Sequence, residues 1–168
     1  MKSRIIFLLV IATILISANG CSKEKQQQKL SGKLTHHSEC KSTKSGTYPA
    51  QISDSLSCAQ YSYDSNSKKL IITHINAGFN CCPEVLSCII SENNNTITIQ
   101  EIEKDHLCNC NCLFDLGIEI NDIESESYQI VFIEPYCGDQ EPLIFEINLA
   151  IADTGSYCVV RNQYPWGI

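Results

Sequence analysis

Eleven cysteines in a chain of 168 residues are the feature that most limits how this sequence can fold. Ten of them lie between residues 40 and 158, a density far above ordinary usage. An even number of cysteines at this density is typical of a disulfide framework, provided that the chain reaches an oxidising compartment. The next question is therefore whether the sequence carries a signal for export.

The N-terminal segment, MKSRIIFLLVIATILISANGC, has the layout of a secretory signal peptide. Lys2 and Arg4 supply the basic region, and residues 5–16 form an apolar run that is short for a membrane span. Small residues then lead to Cys21. The layout predicts a signal peptide over residues 1–20 and export of the rest, which favours disulfides among the cysteines that follow.

The same segment resembles the signal of bacterial lipoproteins, in which cleavage falls directly before a cysteine that then receives lipid. It departs from that pattern at Ala18, where the family usually has leucine. The resemblance implies that Cys21 is lipidated, with palmitate among its acyl groups, and that the protein contacts the lipid bilayer through this anchor. We therefore expect an exported protein anchored to the cell envelope, at the outer membrane.

Charge is divided unevenly along the chain after the signal peptide. Residues 21–46 hold six lysines against two glutamates, and their polar, aperiodic composition predicts a flexible tether over residues 21–39. Residues 47–168 hold seventeen carboxylates against four basic residues, a net charge of −13. A domain of this charge repels phosphates, so we expect no nucleic-acid partner.

Short apolar runs with turn residues between them indicate strands, and no window shows a 3.6-residue period. The runs cover residues 68–77, 84–92, 96–104, 107–120, 127–134, 142–150 and 156–161, with a further strand near 46–62. Residues 93–95 are three asparagines, which tolerate positive φ and so predict a hairpin. We predict one domain over residues 40–168, an all-β, antiparallel, immunoglobulin-like β-sandwich of about seven to eight strands, rich in disulfides.

The run LCNCNCLFDLGIEI places Cys108, Cys110 and Cys112 in phase with Phe114 and Leu116. Side chains alternate between the faces of a strand, so all three sulfurs are predicted to point to the core. On a straight strand the outer two Cα atoms lie about 13 Å apart, whereas two sulfurs on one zinc are at most about 4.6 Å apart. One metal ion therefore cannot bind all three, and disulfides to other segments are favoured.

Disulfides form across a strand pair, whereas successive same-face residues of one strand cannot readily bond. The candidates are Cys40, Cys58, Cys81, Cys82, Cys88, Cys108, Cys110, Cys112, Cys137 and Cys158. We predict three bridges between the group 81, 82, 88 and the group 108, 110, 112, with six assignments open. By elimination, Cys40 pairs with Cys58 and Cys137 with Cys158, so no free thiol is expected.

Two further groups are candidates for a site. His36, His37 and Cys40 have a spacing that can hold zinc or copper, although a polar segment beside a disulfide is the favoured interpretation. Tyr164 and Trp166 form a candidate binding surface, although a cap on the open end of the sandwich is favoured. The sequence contains no catalytic or nucleotide-binding motif, so we predict no cofactor, no resident metal and no catalytic residue.

These patterns favour a non-catalytic binding module on the cell envelope, with an unknown envelope or extracellular ligand. Two alternatives stay open. The first is an envelope protein that binds metal through cysteine and histidine. The second is a secreted enzyme or enzyme inhibitor, which a concave site with convergent titratable groups would indicate.

Overall fold

The computed structural model describes residues 30–41, 52–106 and 108–162, with only the backbone at residues 105 and 106. The predicted signal peptide, the lipidation cysteine and the C-terminal aromatic pair lie outside these ranges. Within them, no helix has the length and apolar character needed to cross a membrane.

Nine strands make up most of the described chain. They are β1 (Ser31–His37), β2 (Leu56–Asp64), β3 (Lys69–Asn80), β4 (Pro83–Asn93), β5 (Thr96–His106), β6 (Asn111–Asn121), β7 (Ser127–Ile133), β8 (Ile144–Asn148) and β9 (Thr154–Val160). Every run predicted to be a strand overlaps one in the structure, and the strand expected near residues 46–62 is β2.

The strands form two sheets with the core between them. The five-stranded sheet has the order β1-β6-β3-β2-β9, and the four-stranded sheet has the order β4-β5-β7-β8. The predicted all-β sandwich is confirmed. Its neighbouring strands are antiparallel except β5 and β7, which are parallel because the chain crosses to the other sheet as β6 between them.

Strand β1 is a departure from the prediction, since it lies inside the segment assigned to the tether. It pairs antiparallel with β6 at the edge of the larger sheet, and Leu34 packs against the smaller of two core clusters. Residues 31–37 contain one large apolar side chain, so no alternation marks them as a strand. The described fold therefore includes residues before 40, and the strand count rises to nine.

The cysteine-rich run departs from the prediction in a second way. Strand β6 begins at Asn111, so Cys108 and Cys110 lie in the connection before it and not on the strand itself. From Cys112 to Ile120, every second side chain is buried, as the alternation predicts. Leu113 is also buried, which the alternation does not predict, and its backbone forms an isolated antiparallel bridge with Lys41.

The asparagine hairpin is confirmed. Asn93 pairs with Thr96, and the two residues between them form the turn. Asn94 and Asn95 have φ values of 50° and 59°, and two successive positive values are typical of the type I′ turn that matches the twist of a hairpin.

Two apolar clusters fill the space between the sheets. The larger contains Leu70 and Ile72 of β3 together with residues from β2, β5, β6, β7, β8 and β9. The smaller consists of Ala77, Phe79, Leu86, Cys112, Phe114 and Leu116. Along β3, His74 follows the larger cluster and precedes the smaller one, so a buried polar residue lies between two apolar regions.

Candidate functional site

Two disulfides join the connections that cross between the sheets. Cys81 and Cys82 lie between β3 and β4, and Cys108 and Cys110 lie between β5 and β6. Cys82 bonds to Cys108 and Cys81 to Cys110, with Cα–Cα distances of 5.7 and 5.6 Å. The amide of Cys81 also donates to the carbonyl of Cys110 at 3.0 Å. For these four cysteines the predicted pairing between the two groups is confirmed.

The disulfide of Cys58 corrects the predicted pairing. Cys58 and Cys158 stand directly opposite each other in the antiparallel pair of β2 and β9, with Cα atoms 4.1 Å apart. Direct cross-strand neighbours are close enough to bond. The predicted bridges Cys40–Cys58 and Cys137–Cys158 are therefore wrong. The sequence does not show that β2 and β9 are neighbours, and the prediction failed for that reason.

The disulfide of Cys40 is the second correction. Cys40 bonds to Cys112, with Cα atoms 5.8 Å apart. The amide of Lys41 donates to the carbonyl of Leu113 at 2.8 Å, which holds this segment beside β6. Cys112 is thus bridged to a segment before β2 and not to the group 81, 82, 88.

Cys88 and Cys137 are free, against the prediction that every cysteine is bridged. Cys88 stands opposite Glu101 in the β4–β5 pair, so it belongs to the sheet that does not contain β6. Burial raises the pKa of its thiol to about 11, which keeps it protonated and unreactive at neutral pH. Cys137 follows β7, and Nη1 of Arg161 donates to its sulfur at 3.1 Å.

A group of buried charged side chains, named the charge cluster, lies between the sheets and consists of His74, Glu101, Glu134 and Arg161. Nδ1 of His74 is 2.6 Å from Oε1 of Glu101. Nη2 of Arg161 donates to both carboxylate oxygens of Glu134, at 2.8 and 2.6 Å. The two pairs meet where Nε2 of His74 lies 3.8 Å from Oε1 of Glu134.

The charge cluster is balanced when His74 is protonated. Burial alone would lower the pKa of His74, but the attraction of Glu101 and the hydrogen bond to it outweigh burial and raise the pKa above 6.5. Burial also raises the pKa of Glu101, so the pair retains a proton in their shared hydrogen bond. The imidazolium and the Arg161 guanidinium then match two carboxylates, which is the arrangement a low-dielectric interior tolerates.

We predict that stability falls as pH rises above neutrality. The pKa of His74 is raised in the folded state, so its contribution is complete below pH 6.5 and is lost as pH rises towards the folded-state pKa. One extra proton in the folded state corresponds to a loss of up to about 1.4 kcal/mol of unfolding free energy per pH unit. Urea denaturation at several pH values from about 6.5 to 7.5, below the ordinary titration ranges of cysteine, tyrosine and lysine, measures it.

Matched histidine variants test the assignment of this slope. His74→Gln should remove most of it, whereas His36→Gln with His37→Gln, two exposed histidines of β1, should leave it unchanged. A His74→Gln protein with the wild-type slope would contradict the assignment.

Ser57 gives the charge cluster the outline of a serine hydrolase triad. Its Oγ lies 2.8 Å from Nε2 of His74, whose Nδ1 faces Glu101. Ser57 has no exposed surface, however, so a substrate cannot reach its hydroxyl. The contact between Oγ of Ser57 and Nε2 of His74 therefore pairs two buried polar groups and does not form a nucleophilic site.

No sequence motif predicts the charge cluster, because its four members come from segments that are far apart in the chain. Strand phase does carry a signal. His74 lies two residues after Ile72, and Glu101 lies two residues after Ile99, so each polar residue continues a buried face. An ionisable residue in phase with core positions predicts a buried partner, although it does not say which one.

The histidines of the candidate metal site, the interpretation that the sequence disfavours, have other contacts in the structure. The ring of His36 lies over Gly117, where an added Cβ would come within 2.0 Å of it. The ring of His37 meets that of Phe114 edge-on at 6.0 Å. Among the described residues, the side chains close enough to share a metal ion with Cys40 are two other cysteines, and neither histidine joins them.

Tyr164 and Trp166, the candidate binding surface from the sequence, lie outside the described residues. The outward side of the four-stranded sheet is a second candidate for a binding surface. We name it the outer apolar face, and it consists of Ile89, Thr98, Gln100, Ile102, Val131, Ile133 and Ile144. Ile89, Gln100 and Ile133 form one row across three strands. Ile89, Ile133 and Ile144 are 56%, 49% and 37% exposed, and no member of the face is charged.

Comparisons with known proteins identify no relative of this chain. No protein-family model matches it, and no curated protein or solved structure is significantly similar to it.

Proposed function

We propose that this protein is an exported, lipid-anchored binding module of the cell envelope that acts by contact and not by catalysis. The outer apolar face carries the proposal, because uncharged and exposed isoleucines on a protein of net charge −7 are typical of an interaction site. Four disulfides fit an exported protein in an oxidising compartment.

The frame behind the outer apolar face supports a binding role. Strands β5 and β7 present the face on one side and place Ile97, Ile99, Ile130 and Phe132 in the large core on the other. A sheet anchored in this way loses little conformational entropy on association, which favours affinity. The buried charge cluster, in contrast, offers no accessible group for turnover.

The partner that best fits this face is a protein surface with an apolar centre and basic residues around it. Residues 47–168 carry a net charge of −13, so the domain attracts a basic rim and repels nucleic acid and anionic headgroups. Glu146 borders the face beside Gln129, and Lys104 borders the opposite margin beside Val85. The proposed ligand is therefore an envelope or extracellular protein.

Site-specific photo-crosslinking in the producing cell tests this proposal. A photoreactive amino acid at position 133 should give one discrete protein adduct, and Ile89→Asp should abolish it by placing a charge on the face. The same amino acid at position 151 is the control, since Ile151 is 83% exposed but lies in the turn after β8. Equal adducts at positions 133 and 151, or no protein adduct at 133, would contradict the proposal.

The lipid anchor has a separate test, because Cys21 lies outside the described residues. Wild-type protein should partition with membranes and carry the mass of attached acyl chains. Cys21→Ser should remain in the aqueous fraction without that mass. Unlipidated wild-type protein in the aqueous fraction would exclude the anchor and leave the binding proposal standing.

A further inference from the structure

Four cysteine sulfurs converge beside the start of β6. We name Cys40, Cys81, Cys110 and Cys112 the sulfur cluster. The sulfurs of Cys40, Cys81 and Cys112 lie within 4.8 Å of one another, and the fourth sulfur, on Cys110, is bonded to that of Cys81. Two separate disulfides therefore have their sulfurs in one place.

These distances are close to those of a thiolate metal site. Two sulfurs on one zinc ion are at most about 4.6 Å apart, with Zn–S bonds of about 2.3 Å. Small movements of side chains would bring all four sulfurs around one ion. We propose that, when its two disulfides are reduced, the sulfur cluster binds one thiophilic d¹⁰ cation, Zn²⁺ or Cu⁺, through Cys40, Cys81, Cys110 and Cys112. This metal site is independent of the proposed binding role of the outer apolar face.

The spacing that excludes a metal on one straight strand does not apply to this site. Cys112 is the single ligand on β6, and Cys110 precedes the strand. Cys40 and Cys81 come from two other segments of the chain. The rise along a strand limits how closely sulfurs on one strand can approach each other, but it does not limit sulfurs from separate segments.

The two disulfides must be reduced before the site can bind a metal ion, and a dithiol supplies the electrons and protons. Each disulfide accepts two electrons and two protons from one dithiol, which becomes a disulfide, and two protein thiols form. The thiols then release their protons as the cation binds, because the thiolate is the ligand. Reduction of both bridges consumes two dithiol molecules and creates four potential ligands.

Hydrogen bonds that do not involve sulfur hold the three segments together after reduction. The amide of Lys41 donates to Leu113 at 2.8 Å, and that of Cys81 donates to Cys110 at 3.0 Å. Nδ2 of Asn80 donates to the carbonyl of Cys108 at 2.7 Å. The ligand positions therefore keep a common frame when the S–S bonds are absent.

Cobalt binding to the reduced full chain tests the proposal, since Co²⁺ is a visible substitute for Zn²⁺ in sulfur sites. The protein is reduced with dithiothreitol, desalted without oxygen and titrated with Co²⁺. We expect one equivalent to bind with intense thiolate-to-cobalt absorption and to be displaced by one equivalent of Zn²⁺. Cys40→Ser with Cys112→Ser should lose this absorption.

The bridge outside the cluster supplies the matched control. Cys82→Ser with Cys108→Ser removes the same number of cysteines from the same end of the sandwich and should keep the cobalt spectrum. Circular dichroism checks the fold of each protein. Absence of the spectrum in folded, reduced wild type, or its equal loss in both variants, would overturn the proposal. Unfolding on reduction that Zn²⁺ does not reverse would overturn it as well.

Discussion

Replacing Arg161 with methionine should lower the free energy of unfolding by about 3–5 kcal/mol, because the buried carboxylate of Glu134 loses both hydrogen bonds from the guanidinium. The Glu134 and Arg161 side chains are 1% and 0% exposed, so water cannot replace the guanidinium. Methionine keeps much of the apolar volume, and the effect is therefore mainly electrostatic. The midpoint of urea denaturation at an unchanged m-value measures the loss.

Two comparisons show whether the loss comes from the buried charge. Lys68→Met breaks an exposed pair with Glu124 and should be close to neutral, because solvent screens it. Combining Arg161→Met with Glu134→Gln should recover part of the stability, since the unpaired charge is removed. An Arg161→Met protein as stable as Lys68→Met would show that the charge cluster does not hold the sheets together.

Removing the disulfide between Cys58 and Cys158 with a double serine substitution should cost about 2–5 kcal/mol. This bridge closes the largest loop of the four, with a sequence separation of 100, and so restricts the unfolded chain most. The Cys40–Cys112 bridge constrains part of the same loop, with a separation of 72, so the cost should fall short of the isolated-loop value. Thermal and urea denaturation under non-reducing conditions measure the change.

Neighbouring residues of the same two strands provide the control. Gln60 and Ser156 stand opposite each other two pairs further along β2 and β9, and both are exposed. Gln60→Ala with Ser156→Ala should change the unfolding free energy by no more than about 0.5 kcal/mol. A disulfide variant indistinguishable from this control would contradict the role assigned to the Cys58–Cys158 bridge.

Strands and sheet faces could be predicted from the sequence because local alternation determines them. Residues 142–150 alternate apolar and polar side chains, and in the structure Phe145 and Ile147 are buried whereas Glu146 is exposed. The hairpin at Asn94 and Asn95 follows from the tolerance of asparagine for positive φ. Strand β1 escaped prediction because one apolar residue cannot set a period.

Disulfide pairing could be predicted only in part, because it depends on which segments are neighbours in the fold. The cross-strand rule that favours a bridge holds for Cys58 and Cys158, but the sequence does not place β9 beside β2. Cys88 lies opposite Glu101, since β4 pairs with β5 and not with β6. The charge cluster could not be predicted for the same reason, since its four side chains come from four separate segments of the chain.

Four disulfides and two free thiols among the ten described cysteines define the fold, and thiol counting by intact mass tests this arrangement most directly. In the Cys21→Ser variant, ten cysteines remain. Alkylation of the denatured, unreduced protein should add two labels, at Cys88 and Cys137, and alkylation after reduction should add ten. No label before reduction would restore the fully bridged framework expected from sequence, and four or more labels would contradict the four-disulfide fold.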